Sequence, residues 1–95
     1  MIREPDDPKE IGARLEWLRG FLGYSMPEFA EAVGVKYDRY YNWETGRSRI
    51  SPEGANRIWE DYGVSYDFLF LGIAGRLPAE MMSSWLASQK DRDTK

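Results

Sequence analysis

Apolar residues at Ile11, Leu15, Leu18 and Leu22 recur every three or four positions, which predicts a helix over about 8–22 with one buried face. Trp17 and Phe21 widen that face. Asp7 stands as its cap, Pro8 at the first helical position, Glu10 closes a capping box, and Gly23 ends the element. Gly20 sits inside the helix at a cost of about 1 kcal/mol relative to Ala, which points to a close helix approach there.

The next pattern spans residues 25–46. Ser25 and Glu28 have capping-box spacing, and Pro27 is tolerated because the first helical turn has no internal partner for its missing N–H. Phe29, Ala30 and Val33 make one apolar face. Gly34 then supplies the positive φ that a helix end often needs. A second short helix runs from about Lys36 to Thr45, with Tyr40 and Trp43 on its inner side and Gly46 stopping it. Two short helices about a glycine turn make a helix-turn-helix, whose second helix is the element that enters a DNA major groove.

Ser51-Pro52 repeats the cap-plus-proline signal and opens a helix over about 52–62, with Ala55, Ile58, Trp59 and Tyr62 as its apolar positions. Ser65 caps a shorter helix, about 66–71, whose Phe68 and Leu69 fill the core. Phe70 and Leu71 extend the apolar run further than a small helix can bury. Gly72 and Gly75 mark a linker, and Pro78 begins a last helix, about 79–89, with Met81, Met82, Trp85 and Leu86 on one stripe. That stripe either packs within the chain or, with Phe70 and Leu71, forms a dimer contact. The expected organisation is a disordered 1–7, a domain over 8–72, a linker and C-terminal helix over 73–90, and a charged tail over 91–95.

Composition narrows the chemistry. Ninety-five residues make one domain, and 15% aromatic content predicts a core of few, large side chains. There is no cysteine and no histidine, which removes disulfides, the usual nucleophile–base pairs and soft-metal ligands. No Gly-rich phosphate loop follows a strand pattern, and Glu60-Asp61 reads as solvated surface charge. Neither an enzyme, a metal site nor a cofactor is expected. No apolar run approaches the roughly 18 residues of a membrane span, and the N-terminal residues lack a signal peptide's features, so the cytoplasm is the expected location. Net charge is −3, unusual for a DNA-binding chain, but its distribution is uneven. Residues 34–52 carry four basic side chains (Lys36, Arg39, Arg47, Arg49) against two acidic ones (Asp38, Glu44), while the flanking segments are both net acidic.

Several segments together resemble the lambda-repressor and Cro type, or XRE, family of helix-turn-helix domains. They are Ile11-Gly-Ala-Arg-Leu-Glu-Trp-Leu-Arg19, Ser25-Met-Pro-Glu-Phe-Ala30, Gly34-Val35, Trp43-Glu44-Thr-Gly46 and Gly63-Val-Ser-Tyr-Asp-Phe-Leu69. The resemblance covers about 11–72 and implies an all-α, lambda-repressor-like five-helix domain, here with an added C-terminal helix. It implies that Tyr37, Asp38, Tyr41 and Asn42 face bases, with Arg39 flanking. Chemically, an Asn amide pairs with adenine, an Asp accepts from cytosine, and a Tyr meets a thymine methyl or a phosphate. Phosphate contacts are expected from the amides of Met26 to Glu28 with Ser25, from Lys36, and from Arg47 and Arg49. Arg19 and Glu44 match a structural ion pair. Family members pair near the fifth helix, which implies a homodimer with possible contacts at Phe70, Leu71, Met82 and Trp85.

Three departures stand out. Met26 occupies the usual place of a phosphate-binding Gln, Lys36 that of a capping Ser or Thr, and Tyr40 that of a core aliphatic. The expected function is a sequence-specific DNA-binding regulator, a repressor on a palindromic operator. The alternative is a protein-interaction module or antitoxin-like partner that kept the fold and bound DNA weakly or not at all.

Overall fold

Hydroxyl and carboxylate caps start most of the helices. Asp7 accepts from the Lys9 N–H at 2.9 Å, Ser51 from Gly54 at 3.1 Å and Ser65 from Phe68 at 3.2 Å. Ser25 and Glu28 complete a reciprocal box, and the hydrogen bonds from Ser25 hold the Glu28 carboxyl below its usual range. The computed structural model describes residues 4–93. Its helices are α1 (Pro8–Leu22), α2 (Met26–Ala32), α3 (Tyr37–Glu44), α4 (Pro52–Tyr62), α5 (Tyr66–Leu71) and α6 (Ala79–Asp93). The described residues are all-helical, as expected of a lambda-repressor-like fold.

Two aromatic clusters organise the packing. In the first, Phe29 of α2 meets Tyr40 of α3 edge-to-face at 5.4 Å, and Tyr40 meets Trp43 at 6.2 Å. In the second, Trp85 of α6 sits 5.2 Å from Trp17 of α1 and 4.9 Å from Phe68 of α5, both edge-on. The Trp17 indole N–H also donates to Ser84 Oγ at 3.3 Å. The first cluster ties α2 to α3, and the second docks α6 onto α1 and α5.

Several expectations change here. Gly20 is not a close approach: nothing lies within 4 Å of where its Cβ would be. Nine positions after Ile11, it points about half a turn away from the buried stripe. The close approach is at Gly12, where a Cβ would strike the Glu44 carbonyl oxygen and lie 2.7 Å from that of Trp43. Trp59 is 49% exposed rather than core. Gly54 lets the Trp43 ring come within 2.6 Å of its missing Cβ, so α4 turns Gly54, Ala55 and Ile58 inward and Trp59 outward.

The C-terminal stripe also divides. Met81 and Trp85 are buried, Met82 is half-buried, and Leu86 is 56% exposed. Trp85 therefore packs within the chain. Of the four residues considered for a dimer contact, Leu71 alone is exposed, since Phe70 and Met82 are half-buried. α6 continues to Asp93, where a tail was expected from 91, since no glycine or proline follows Pro78 to stop it. At the other end, residues 4–7 form a turn instead of disorder: the Asp7 N–H donates to the Glu4 carbonyl at 3.0 Å and Arg14 Nη1 to the Pro5 carbonyl at 2.8 Å. The remainder of both expected disordered ends, 1–3 and 94–95, lies outside the described residues.

Candidate nucleic-acid interface

The turn between α2 and α3 is built from backbone. Gly34 takes φ 79°, its N–H donates to the Glu31 carbonyl, and the Val35 N–H donates to the Ala30 carbonyl at 3.0 Å. Lys36 then starts α3 without a side-chain cap, as its chemistry requires.

Helix α3 has two distinct faces. Tyr40, Trp43 and Glu44 are buried, while Tyr37, Asp38, Arg39 and Tyr41 are exposed and Asn42 is half-buried. The expected base-facing residues thus share the outer side. A groove beside them is lined by Gly34, Val35, Lys36, Asp38, Arg39 and Asn42. The Asn42 carbonyl accepts from the N–H groups of Arg47 and Ser48, which folds the following loop back over the helix end.

The inner face is pinned by charge. Arg19 Nε donates to Glu44 Oε1 at 2.8 Å and Nη2 to Oε2 at 3.2 Å, a two-pronged pair between α1 and α3. A third bond runs from Arg19 Nη1 to the Tyr24 carbonyl at 3.0 Å, reaching the α1–α2 turn. The Tyr40 hydroxyl donates to Glu44 Oε1 at 2.6 Å, which supplies the partner that a buried Tyr needs. The hydrogen bond to Glu44 holds the Arg19 guanidinium above its usual range. Burial, and then the bond to Glu44, push the Tyr40 hydroxyl far above the ordinary phenol range. Tyr62 is pushed up to about 12, by burial first and then by its hydrogen bond with Tyr24.

These tyrosines make stability fall in alkali. Their folded-state pKa values lie above the unfolded value near 10, so the folded chain binds more protons once pH exceeds about 10. The stability they support is fully present below pH 10 and is lost as pH rises beyond it. Tyr40→Phe should cost about 1–2 kcal/mol at pH 7, because Glu44 loses one charge-assisted hydrogen bond. It should also flatten the alkaline loss. Urea melts from pH 8 to 11 check both, and an alkaline slope equal to the parent's would remove Tyr40 as its source.

The expected phosphate contacts fare unequally. Lys36 and Arg47 are exposed beside α3, and the Arg47 guanidinium lies 6.0 Å from the Tyr41 ring. Arg39 lies 5.6 Å from the Trp43 ring, at the edge of the outer face. Arg49 turns to the N-terminal turn, with Nε donating to the Asp6 carbonyl at 3.0 Å and Nη2 3.9 Å from its carboxylate. The start of α2 offers less than expected. Pro27 has no N–H, the Glu28 N–H is taken by Ser25 Oγ, and the Glu28 carboxylate adds negative charge there. Of those amides only that of Met26 lies outside the capping box. Its side chain instead lies 3.9 Å, Sδ to hydroxyl, from Tyr37.

Two structural residues escaped the sequence patterns. Gly12 lies beside the apolar stripe and carries no signal of its own, and Tyr24 accepts from Arg19 at its carbonyl while its ring stacks on Phe29 at 5.6 Å. Among the described residues, no group of three or more His, Cys, Asp or Glu is arranged to hold a metal ion, and no helix is long and apolar enough to cross a membrane.

The sequence pattern that defines the helix-turn-helix domain family matches residues 10–67, more than half of the chain. No curated protein and no solved structure gives a significant match.

Proposed function

The chain belongs to the helix-turn-helix domain family, of the XRE and Cro-like type, and from that premise we propose that it is a sequence-specific transcriptional repressor. The outer face of α3 enters the major groove. Two copies bind the halves of a palindromic operator, their reading helices about 34 Å apart, in the cytoplasm where the chromosome lies. The protein does no chemistry; occupancy blocks transcription.

The observation that carries this reading is the division of α3. Its inner face is held by the Arg19–Glu44–Tyr40 bonds, and its outer face presents Tyr37, Asp38 and Tyr41 to solvent with the half-buried Asn42 beside them. A solvated helix face in the net-positive 34–52 segment, between two net-acidic ones, suits base reading. Asn42 is the adenine-reading candidate, and Lys36 and Arg47 are the phosphate-contacting ones.

Fluorescence anisotropy against random DNA and a selected pool, over a salt series, tests it. Asn42→Ala should lose about 1–3 kcal/mol at one base position only. Arg47→Ala should weaken all sequences alike and reduce the log–log salt slope by about 1. An Asn42→Ala protein with unaltered preference would remove Asn42 from the reading set.

A second reading, an interaction module on the same fold, draws on the exposed Leu71, Ile73 and Leu86 and on the occupied amides at the start of α2. Weak binding to every sequence, insensitive to salt, would favour it.

A further inference from the structure

The reading face carries an apolar patch, to which Met26 adds a thioether beside the two tyrosines already expected there. Met26 opens α2 and Tyr37 opens α3, so two helix starts meet there, with the Tyr37 hydroxyl 3.9 Å from Met26 Sδ. Tyr41, one turn on, places its ring 6.1 Å from that of Tyr37 at a 42° tilt. Both rings are exposed, at 43% and 37%, and Met26 is half-buried beside them. A thioether and two ring faces, with a single hydroxyl on each ring, lack the side-by-side donor and acceptor of an amide or the fork of a guanidinium that read most base edges. In the major groove one base-edge group is apolar, the C5 methyl of thymine.

The surroundings favour DNA as the occupant of this patch. It lies beside Lys36 and Arg47, the latter with its guanidinium 6.0 Å from the Tyr41 ring. Cations on the rim match phosphates on either side of a base whose methyl meets the patch. Met26 completes it from α2, where a side chain that bound phosphate would otherwise stand.

We propose that Met26, Tyr37 and Tyr41 form a methyl-reading patch that selects thymine at one or two fixed positions of the bound sequence. This rests on the DNA-reading function above and adds the base and the group recognised. The side chains act as a set: Tyr37 sits between the other two, against the Met26 sulfur on one side and the Tyr41 ring on the other.

The test begins with a duplex selected from a random pool. Each thymine is then replaced in turn by deoxyuridine, which removes the methyl and leaves the pairing edge intact. Affinity should fall about fourfold at one or two positions, the equivalent of one buried methyl, and stay level elsewhere. In Met26→Ala, Tyr37→Ala or Tyr41→Ala, each checked for parental melting, the penalty at those positions should drop below twofold. Selection of a sequence with no deoxyuridine penalty anywhere would overturn the patch and leave DNA reading standing. A penalty that survives all three substitutions would place methyl recognition elsewhere and also overturn it. Failure to select any sequence would overturn both this inference and the repressor reading.

Discussion

Arg19→Met lowers the stability by about 3–5 kcal/mol at pH 7. The reason lies in what remains. The Glu44 side chain is 2% exposed, against 20% for Arg19, so the variant leaves a buried carboxylate whose one remaining side-chain partner among the described residues is the Tyr40 hydroxyl. Met keeps most of the apolar stem of Arg19, so the loss reports on charge rather than packing. A domain of this size has about 5–15 kcal/mol to lose, so the melting temperature should fall by more than about 10 °C. Thermal and urea melts followed by circular dichroism measure it. A loss under about 1 kcal/mol would show that water reaches Glu44 in solution. The companion variant Arg19→Met/Tyr40→Phe/Glu44→Leu should recover much of the deficit, because a buried charge network replaced as a unit leaves nothing unpaired.

Gly12→Ala should cost about 2–3 kcal/mol, although alanine favours a helix by about 1 kcal/mol over glycine. The added methyl meets the carbonyl oxygens of Glu44 and Trp43. Both are backbone atoms at the end of α3, and neither can rotate aside. α1 and α3 must separate, which loosens Trp43 and the ion pair together. Gly20→Ala is the matched control. Its Cβ enters open space on an exposed turn of the same helix, so it should stabilise by up to about 1 kcal/mol. Opposite signs for one substitution in one helix would establish the α1–α3 contact. Equal effects would deny it.

Under the proposed function, base recognition rests on the same contact. Gly12 lets the end of α3 rest on α1, Arg19 ties Glu44 to the α1–α2 turn, and the outer residues of α3 project from a helix with little freedom to roll. A change at either inner residue should therefore blur base preference before it weakens phosphate contact.

Local chemistry was legible in the chain from the start. The helix starts at Pro8, Met26, Pro52 and Tyr66 follow from caps one residue earlier, and the glycine at 34 marks the turn between α2 and α3. The spacing of Tyr40 and Trp43 marked the inner face of α3, and the family resemblance implied the outer one, with Tyr37 and Tyr41. The loss of the Pro27 amide was legible too, since proline has no N–H in any structure. These properties belong to residues within one or two turns of each other.

What the tertiary structure decided is how each helix is rotated and what comes near it. Periodicity turns Gly20 away from the buried stripe, but only the position of α3 makes Gly12 a contact. Trp59 faces outward because Gly54 admits the Trp43 ring. Trp85 could have faced a second copy until Trp17 and Phe68 enclose it, and no local pattern foretells that Arg49 meets the carbonyl of Asp6. A cap or a period is set by neighbours along the chain. The choice between a buried and an exposed face is set by atoms dozens of residues away, and close packing admits few solutions to it.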